Sequence, residues 1–440
     1  MISPSALPRV RRNTELGLMV LVALLTGGAY TLASLGRSSS LPADLVPFLL
    51  VILALLAGAH LATRALVPSA DSLLLPLAGF LNGVGYVFVA RLRPDLAPLQ
   101  AVWSALGVLA FFGTLAVVRR IRDLERLRYT FGFVGLGLLL LPLVPVIGRT
   151  FGGSRLWVQV GPVTFQPGEM AKITLCVFFA AYLVDKRELL EMGTRQVGGL
   201  WLPGVRHIGP ILLAWLFSLI VMFFERDLGS SLLFFALFIS MLWVATARGL
   251  YLGIGGVLFS AGALLAWQVF DHVKQRVQIW LDPWPVADGR GYQIVQALFA
   301  FAAGGVAGTN LAQGSPQRIP AVATDFTFAA IGEELGLLGA AAVLATFVLI
   351  VGSGLRIAMN AEGSFEKLLA TGLTAIIGIQ SFIILGGVTR LIPLTGITLP
   401  FVSYGGSSLL ANYVILALLL RISHDQTVRA EAAALAGRAA

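Results

Sequence analysis

Long apolar runs follow one another from Glu15 almost to Arg421, each near the 20 or so residues that a membrane-crossing helix requires. They predict spans near 16–35, 45–66, 73–90, 99–118, 130–147, 168–184, 209–224, 228–247, 251–269, 326–352, 367–389 and 400–421. The polar stretches between them are mostly short, so the pattern predicts an all-α integral membrane protein, a polytopic bundle of about 12 transmembrane helices. Residues 1–15 read as a polar, basic tail, 16–421 as a single transmembrane domain and 422–440 as a second tail. The least distinct boundary is at Glu225, Arg226 and Asp227, where two apolar runs meet. The largest loop, 270–325, sets polar, Gly and Pro residues around one amphipathic stretch, Tyr292 to Ala303. A loop this long in a compact protein is more often functional than idle.

Composition agrees with this reading. Of 440 residues, 57% are hydrophobic and 12% charged, a balance with which a water-soluble fold could not cover its surface. The net charge of +9 comes from short Lys and Arg clusters between apolar runs, with no extended basic domain, so it argues for topology and lipid contact and against nucleic acid. Arg9, Arg11 and Arg12 precede the first span, Arg119, Arg120, Arg122, Arg126 and Arg128 follow the fourth, and Lys186, Arg187, Arg195 and Arg206 follow the sixth. The positive-inside bias then predicts that both termini are cytoplasmic and that 148–166 and 270–325 are external. The single cysteine, Cys176, lies in an apolar run and excludes an intrachain disulfide or a cysteine metal site. There is no Walker loop, HExxH or GxSxG motif, and the four His are scattered.

Ionisable residues at membrane depth are costly and mark candidate sites. Glu169 and Lys172, at i and i+3 in QPGEMAK, share one helix face and fit either an ion pair or a site. Asp227 in FERDLGSS and Asp325 in VATDFTF each begin a span, where an N-cap is the plain alternative. Glu333 and Glu334 lie two turns beyond Asp325, deep enough to require protein partners. Arg155 stands beside Trp157 in an external segment, and LPFVSYGGSSLL offers Ser403 and Ser407 among small residues that also suit close helix packing.

Taken together, these segments resemble the SEDS family, the shape, elongation, division and sporulation glycosyltransferases that include RodA and FtsW. GGSRLWVQVGPVTFQPGEMAK, ERDLGSS, DPWPVADGRGYQIVQAL, IPAVATDFTFAAIGEELGLLG and ITLPFVSYGGSSLL occur in the family's order, over about residues 150–421. Gly168, Arg226 and Ala323 depart from the usual Ser, Pro and His, and none of these changes removes a carboxylate. Thr395 and the GGVTRLIPLTG segment favour the elongation-type branch over the division-type one.

The resemblance implies a core of about ten spans preceded by two extra N-terminal helices, with the catalytic part of that core near 130–421. It implies polymerisation of lipid II into β-1,4 glycan strands at the outer face of the cytoplasmic membrane, by an inverting displacement of undecaprenyl pyrophosphate. In that reading Asp325 is the catalytic base, and Arg155, Glu169, Lys172, Asp227, Ser403 and Ser407 bind substrate. No protein metal site is expected, although a divalent cation, magnesium or manganese, is compatible with the oxygen ligands. The implied partners are lipid II, the undecaprenyl-pyrophosphate-linked glycan and a class B penicillin-binding protein. A lipid II flippase and a non-catalytic cell-wall scaffold are the alternatives.

Overall fold

Among the described residues, ten helices are long and apolar enough to cross a membrane in the structure, a computed structural model. The structure describes residues 7–38, 41, 45–151, 153–161, 163–191, 195–197 and 200–202, then 209, 213, 216, 217, 220, 221, 224 and 225, and 227–439. In chain order the helices begin with α1 (Leu7–Ser38), α2 (Leu45–Leu66), α3 (Leu74–Leu92) and α4 (Ala97–Val117). The short α5 (Arg122–Arg126) and α6 (Arg128–Leu140) follow. Next come α7 (Pro167–Asp185), α8 (Arg187–Glu191), α9 (Leu228–Thr246), α10 (Leu250–Val269), α11 (Asp271–Leu281) and α12 (Tyr292–Gly304). The last three are α13 (Thr327–Asn360), α14 (Ser364–Val388) and α15 (Gly406–Ala439).

One of the twelve expected spans differs in the described residues. The run at 130–147 forms only α6 and a 3-10 turn, Leu141–Leu143, because Pro142 and Pro145 cannot continue a helix. The run at 209–224 lies largely outside the described residues. The first tail is also shorter than expected, since α1 already begins at Leu7 and Arg12 and Glu15 are buried.

Strands appear where an all-helical reading expected none. β1 (Gly148–Phe151), β2 (Ser154–Val160) and β3 (Val163–Phe165) form an antiparallel sheet. The Thr, Val, Phe and Trp residues of this segment suit strands. A second ribbon pairs β4 (Arg195–Val197) with β5 (Leu200–Leu202).

The bundle is built around α14 and α15, which are mostly buried, whereas α1, α2 and α10 expose most of their surface. Without water at this depth, helices pack through small residues and must satisfy their own backbones. At Gly372 of α14, an added Cβ would lie 2.4 Å from Cys176 Sγ on α7 and 2.8 Å from Met241 Sδ on α9. The buried Cys176 is therefore a packing residue.

The loop 270–325 is largely helical. Its amphipathic stretch forms α12 as expected, and α11 adds a helix that the sequence did not announce. α12 packs against the start of α13, which breaks at Gly336 (φ 64°, ψ −164°). The N–H groups freed by that break donate across the gap, Leu337 to Gly305 O at 3.0 Å and Leu338 to Val306 O at 3.2 Å. Glu333 and Glu334 find the partners their depth demands: Ser315 N donates to Glu333 at 2.7 Å, Ala312 N donates to Glu334 at 3.0 Å, and Arg91 pairs with Glu334 at 2.9 Å. This fastened loop leads directly to Asp325.

Candidate active site

Asp227 is the N-cap of α9, the plain alternative that its position left open. Its carboxylate accepts from Gly229 N at 2.9 Å and Ser230 N at 3.1 Å, and also from the Ser230 hydroxyl. The residue is buried, and burial pushes its carboxyl up against the pull of those hydrogen bonds and of Arg276.

Asp325 sits just ahead of α13, where its own N–H donates to Ala321 O at 3.1 Å. Its side chain is half-buried. Desolvation pushes its carboxyl up to about 6; the Thr324 hydroxyl and Arg276 pull it down and Asp227 adds a further upward push. Two carboxylates therefore share one neighbouring cation.

That cation, Arg276 of α11, is the residue missed by sequence reasoning. Its Nη1 donates to Leu394 O at 2.7 Å, and both Asp227 and Asp325 favour its charged form against the cost of burial. The segment 394–398 runs alongside. Gly396 adopts φ +77°, where a Cβ would stand 3.7 Å from Asp325 Oδ2 and 3.8 and 3.9 Å from the two Arg276 nitrogens. Only glycine takes this conformation without strain. Gly396 itself is exposed, so the cluster is open to solvent at this point.

Lys172 and Glu169 form the expected ion pair on α7, at 2.8 Å, and both are buried. Lys172 Nζ also donates to Gln380 Oε1 at 2.6 Å, and Gln380 Nε2 donates to Thr398 O at 2.9 Å. Thus one backbone segment, 394–398, touches the Asp325–Arg276–Asp227 cluster at one end and the Lys172–Glu169 pair, through Gln380, at the other.

The remaining expected residues lie elsewhere. Arg155 is part of β2, its Nε donating to Pro142 O at 3.0 Å, and it is not among the charges acting on either aspartate. Ser403 and Ser407 are buried and hold backbone: their hydroxyls accept from Leu399 N at 3.1 Å and from Gln166 N at 2.8 Å. Ser407 thereby clasps the start of α7, and Tyr404 N, donating to Ala323 O at 2.8 Å, ties the same loop to the turn before Asp325. Among the described residues no three of His, Cys, Asp and Glu gather as metal ligands. With Arg276 acting on both aspartates, the donor set does not fit a resident divalent ion.

A sequence profile of the FtsW/RodA/SpoVE cell cycle proteins matches residues 94–428. The chain belongs to that family. Every site residue named above falls within the match, and α1 to α3 precede it. Among members of the FtsW/RodA/SpoVE family, the chain is 45% identical to the peptidoglycan glycosyltransferase RodA of Mycobacterium tuberculosis, over 94% of this chain and 91% of that one. It is 36% identical to a probable peptidoglycan glycosyltransferase FtsW of Nitrosococcus halophilus, over 81% and 92% of the two chains. A solved chain from a peptidoglycan synthase complex that coordinates polymerization and crosslinking is also similar, with 28% identity and a TM-score of 0.67 over 81% of this chain and 98% of that one. The chain is thus RodA-like within the family, as the Thr395 segment suggested.

Proposed function

We propose that this chain polymerises lipid II, with Asp325 as the general base. The chain is a peptidoglycan glycosyltransferase; the proposal concerns how its residues carry out the reaction. The observation that carries it is a half-buried carboxylate held at about 6, beside a cation, on the rim of a segment open to solvent at Gly396. A base with its pKa near the working pH is the most effective kind.

In this mechanism the sugar 4-hydroxyl of lipid II attacks the anomeric carbon of the lipid-linked strand. The new C–O bond forms as the bond to undecaprenyl pyrophosphate breaks, and the attack inverts the α-linkage to β. Asp325 receives the hydroxyl proton. Arg276 and Lys172 offset the charge growing on the departing pyrophosphate, an electrostatic task suited to fixed cations. Glu169 and Asp227 hold those cations in place and keep the cluster near neutrality. Arg155, on the hairpin, contacts the glycan or pyrophosphate of an incoming lipid, and the Ser403 and Ser407 loop fixes the backbone beneath it. Any divalent cation arrives bound to the pyrophosphate rather than at a protein site.

This reading makes the end of the bundle that bears the β1–β3 hairpin and Asp325 the outer face. The exposed Arg119, Arg120, Arg122 and Arg126 lie beyond the far end of α4, which the positive-inside bias assigns to the cytoplasm. A class B penicillin-binding protein is the partner that would crosslink the strands, in line with the synthase complex to which the chain is similar. The RodA-like sequence favours a role in elongation. Purified chain supplied with lipid II in liposomes, with and without that partner, tests the proposal. Glycan strands are expected; movement of lipid II across the bilayer with no strand formed would establish the flippase reading instead.

A further inference from the structure

We propose that Gln380 is a positioning residue that makes Lys172 and the Asp325–Arg276 cluster a single unit. Gln380 lies in α14, almost fully buried, on a stretch (IGIQSFIIL) that is otherwise apolar or small. Its amide has one orientation open to it. Lys172 can only donate and the Thr398 carbonyl can only accept. The Gln380 oxygen must therefore face Lys172, at 2.6 Å, and its nitrogen must face Thr398 O, at 2.9 Å.

Thr398 ends a five-residue segment whose first residue, Leu394, accepts from Arg276 at 2.7 Å. Between these two anchored carbonyls lies Gly396, where an added Cβ would face Asp325 and Arg276. The segment is thus fixed at one end by the cation of the Asp325 cluster and at the other by the cation of α7, the second through Gln380. A hydrogen bond to a charged partner in a buried place resists displacement more than a neutral one does. If Gln380 is removed, Lys172 keeps Glu169, but the 394–398 segment loses the bond that sets its distance from Lys172. Both halves of the site then lose their common reference.

This inference rests on the assignment of Asp325 and Lys172 given above. Gln380 is shut off from solvent, so it acts through its two partners. An amide that merely filled space would change stability without altering how Asp325 titrates. The groups facing Asp325 are Arg276 from α11, Asp227 from the start of α9 and the adjacent Thr324. Of these, Arg276 is the one held by the segment.

The test compares Gln380→Leu and Gln380→Glu with the unchanged chain, reconstituted with lipid II, over a range of pH. Gln380→Leu is expected to lower kcat by about 10-fold to 100-fold, the loss typical of a charge-assisted contact. It should also raise the acid limb of the profile by about half a pH unit as Arg276 loosens from Asp325. Gln380→Glu has the same shape and, once protonated, restores both a donor and an acceptor. Its deficit relative to the unchanged chain should therefore shrink as pH falls. An unshifted acid limb in Gln380→Leu, or a Gln380→Glu deficit constant with pH, would overturn the proposal. Asp325→Asn serves as the control. If it is inactive while Gln380→Leu behaves normally, only the coupling fails; if it polymerises normally, the site assignment fails and takes the coupling with it.

Discussion

Burial holds the Asp325 carboxyl at about 6, above its ordinary value, so the base form dominates at neutral pH and is lost on acidification. The direction of the pH response follows. Polymerase kcat/KM should be level above pH 7 and fall about tenfold per unit well below 6, as the carboxyl takes up the proton it would otherwise accept from the sugar. Arg276 pulls that carboxyl down, so Arg276→Gln should move the acid limb to higher pH as well as slow the reaction. Initial rates from pH 5 to 8 check this, and a limb that stays in place would separate Arg276 from the site. Asp325, Asp227, Glu169 and Lys172 could be read from the sequence because charge at a span boundary is conspicuous against apolar neighbours. Arg276 could not, since in HVKQRVQIW it stands near Lys274 in a polar stretch and reads as a solvated face. Its weak signal was the amphipathic pattern of α11, which places one face toward the bundle. Gln380, a lone amide in an apolar helix, carried no signal beyond the cost of burying it.

Among the elements, α13 shows where a hydropathy pattern stops being informative. Its apolar run continues through LGLLG, yet the helix breaks at Gly336 and depends on two carbonyls just past the end of α12. Periodicity does not register such a break, because the residues on both sides of it are mostly apolar. The Glu333–Glu334 pair was legible as a demand for partners; which partners it found depended on Arg91, over 240 residues earlier. Glu334 is fully buried and Arg91 mostly so, with side-chain exposures of 0% and 11%. Glu334→Gln should therefore destabilise the protein by about 3–5 kcal/mol, the usual cost of leaving a buried charge unpaired. The thermal midpoint of detergent-solubilised protein should fall clearly, and limited proteolysis should reach the loop 305–319. Arg93→Ala, which removes the exposed Arg93–Asp95 pair, should leave the midpoint where it was. Equal midpoints for the two variants would contradict the role given to Glu334.

For the whole molecule, the helical bundle was legible from span length and composition, and the family from five ordered motifs. The shortness of α6 was less plain, because its apolar run continues past Pro142 and Pro145, which end the helix. Orientation is open to a direct check. The sole native thiol, Cys176, is fully buried, so a cysteine introduced at the exposed Gly289 reports its side cleanly. Labelling from the periplasmic side is expected, and labelling only from the cytoplasm would invert the topology. In the mechanism proposed, this bundle makes glycan strands with Asp325 as base. The most direct measurement is the length distribution of strands made from lipid II by purified protein with its crosslinking partner, for the unchanged chain and for Asp325→Asn. Asn keeps the shape, so folding and partner binding should persist while the rate falls about 100-fold to 10,000-fold, the usual loss of a general base. Strands of normal length and yield from Asp325→Asn would show that Asp325 is not the base.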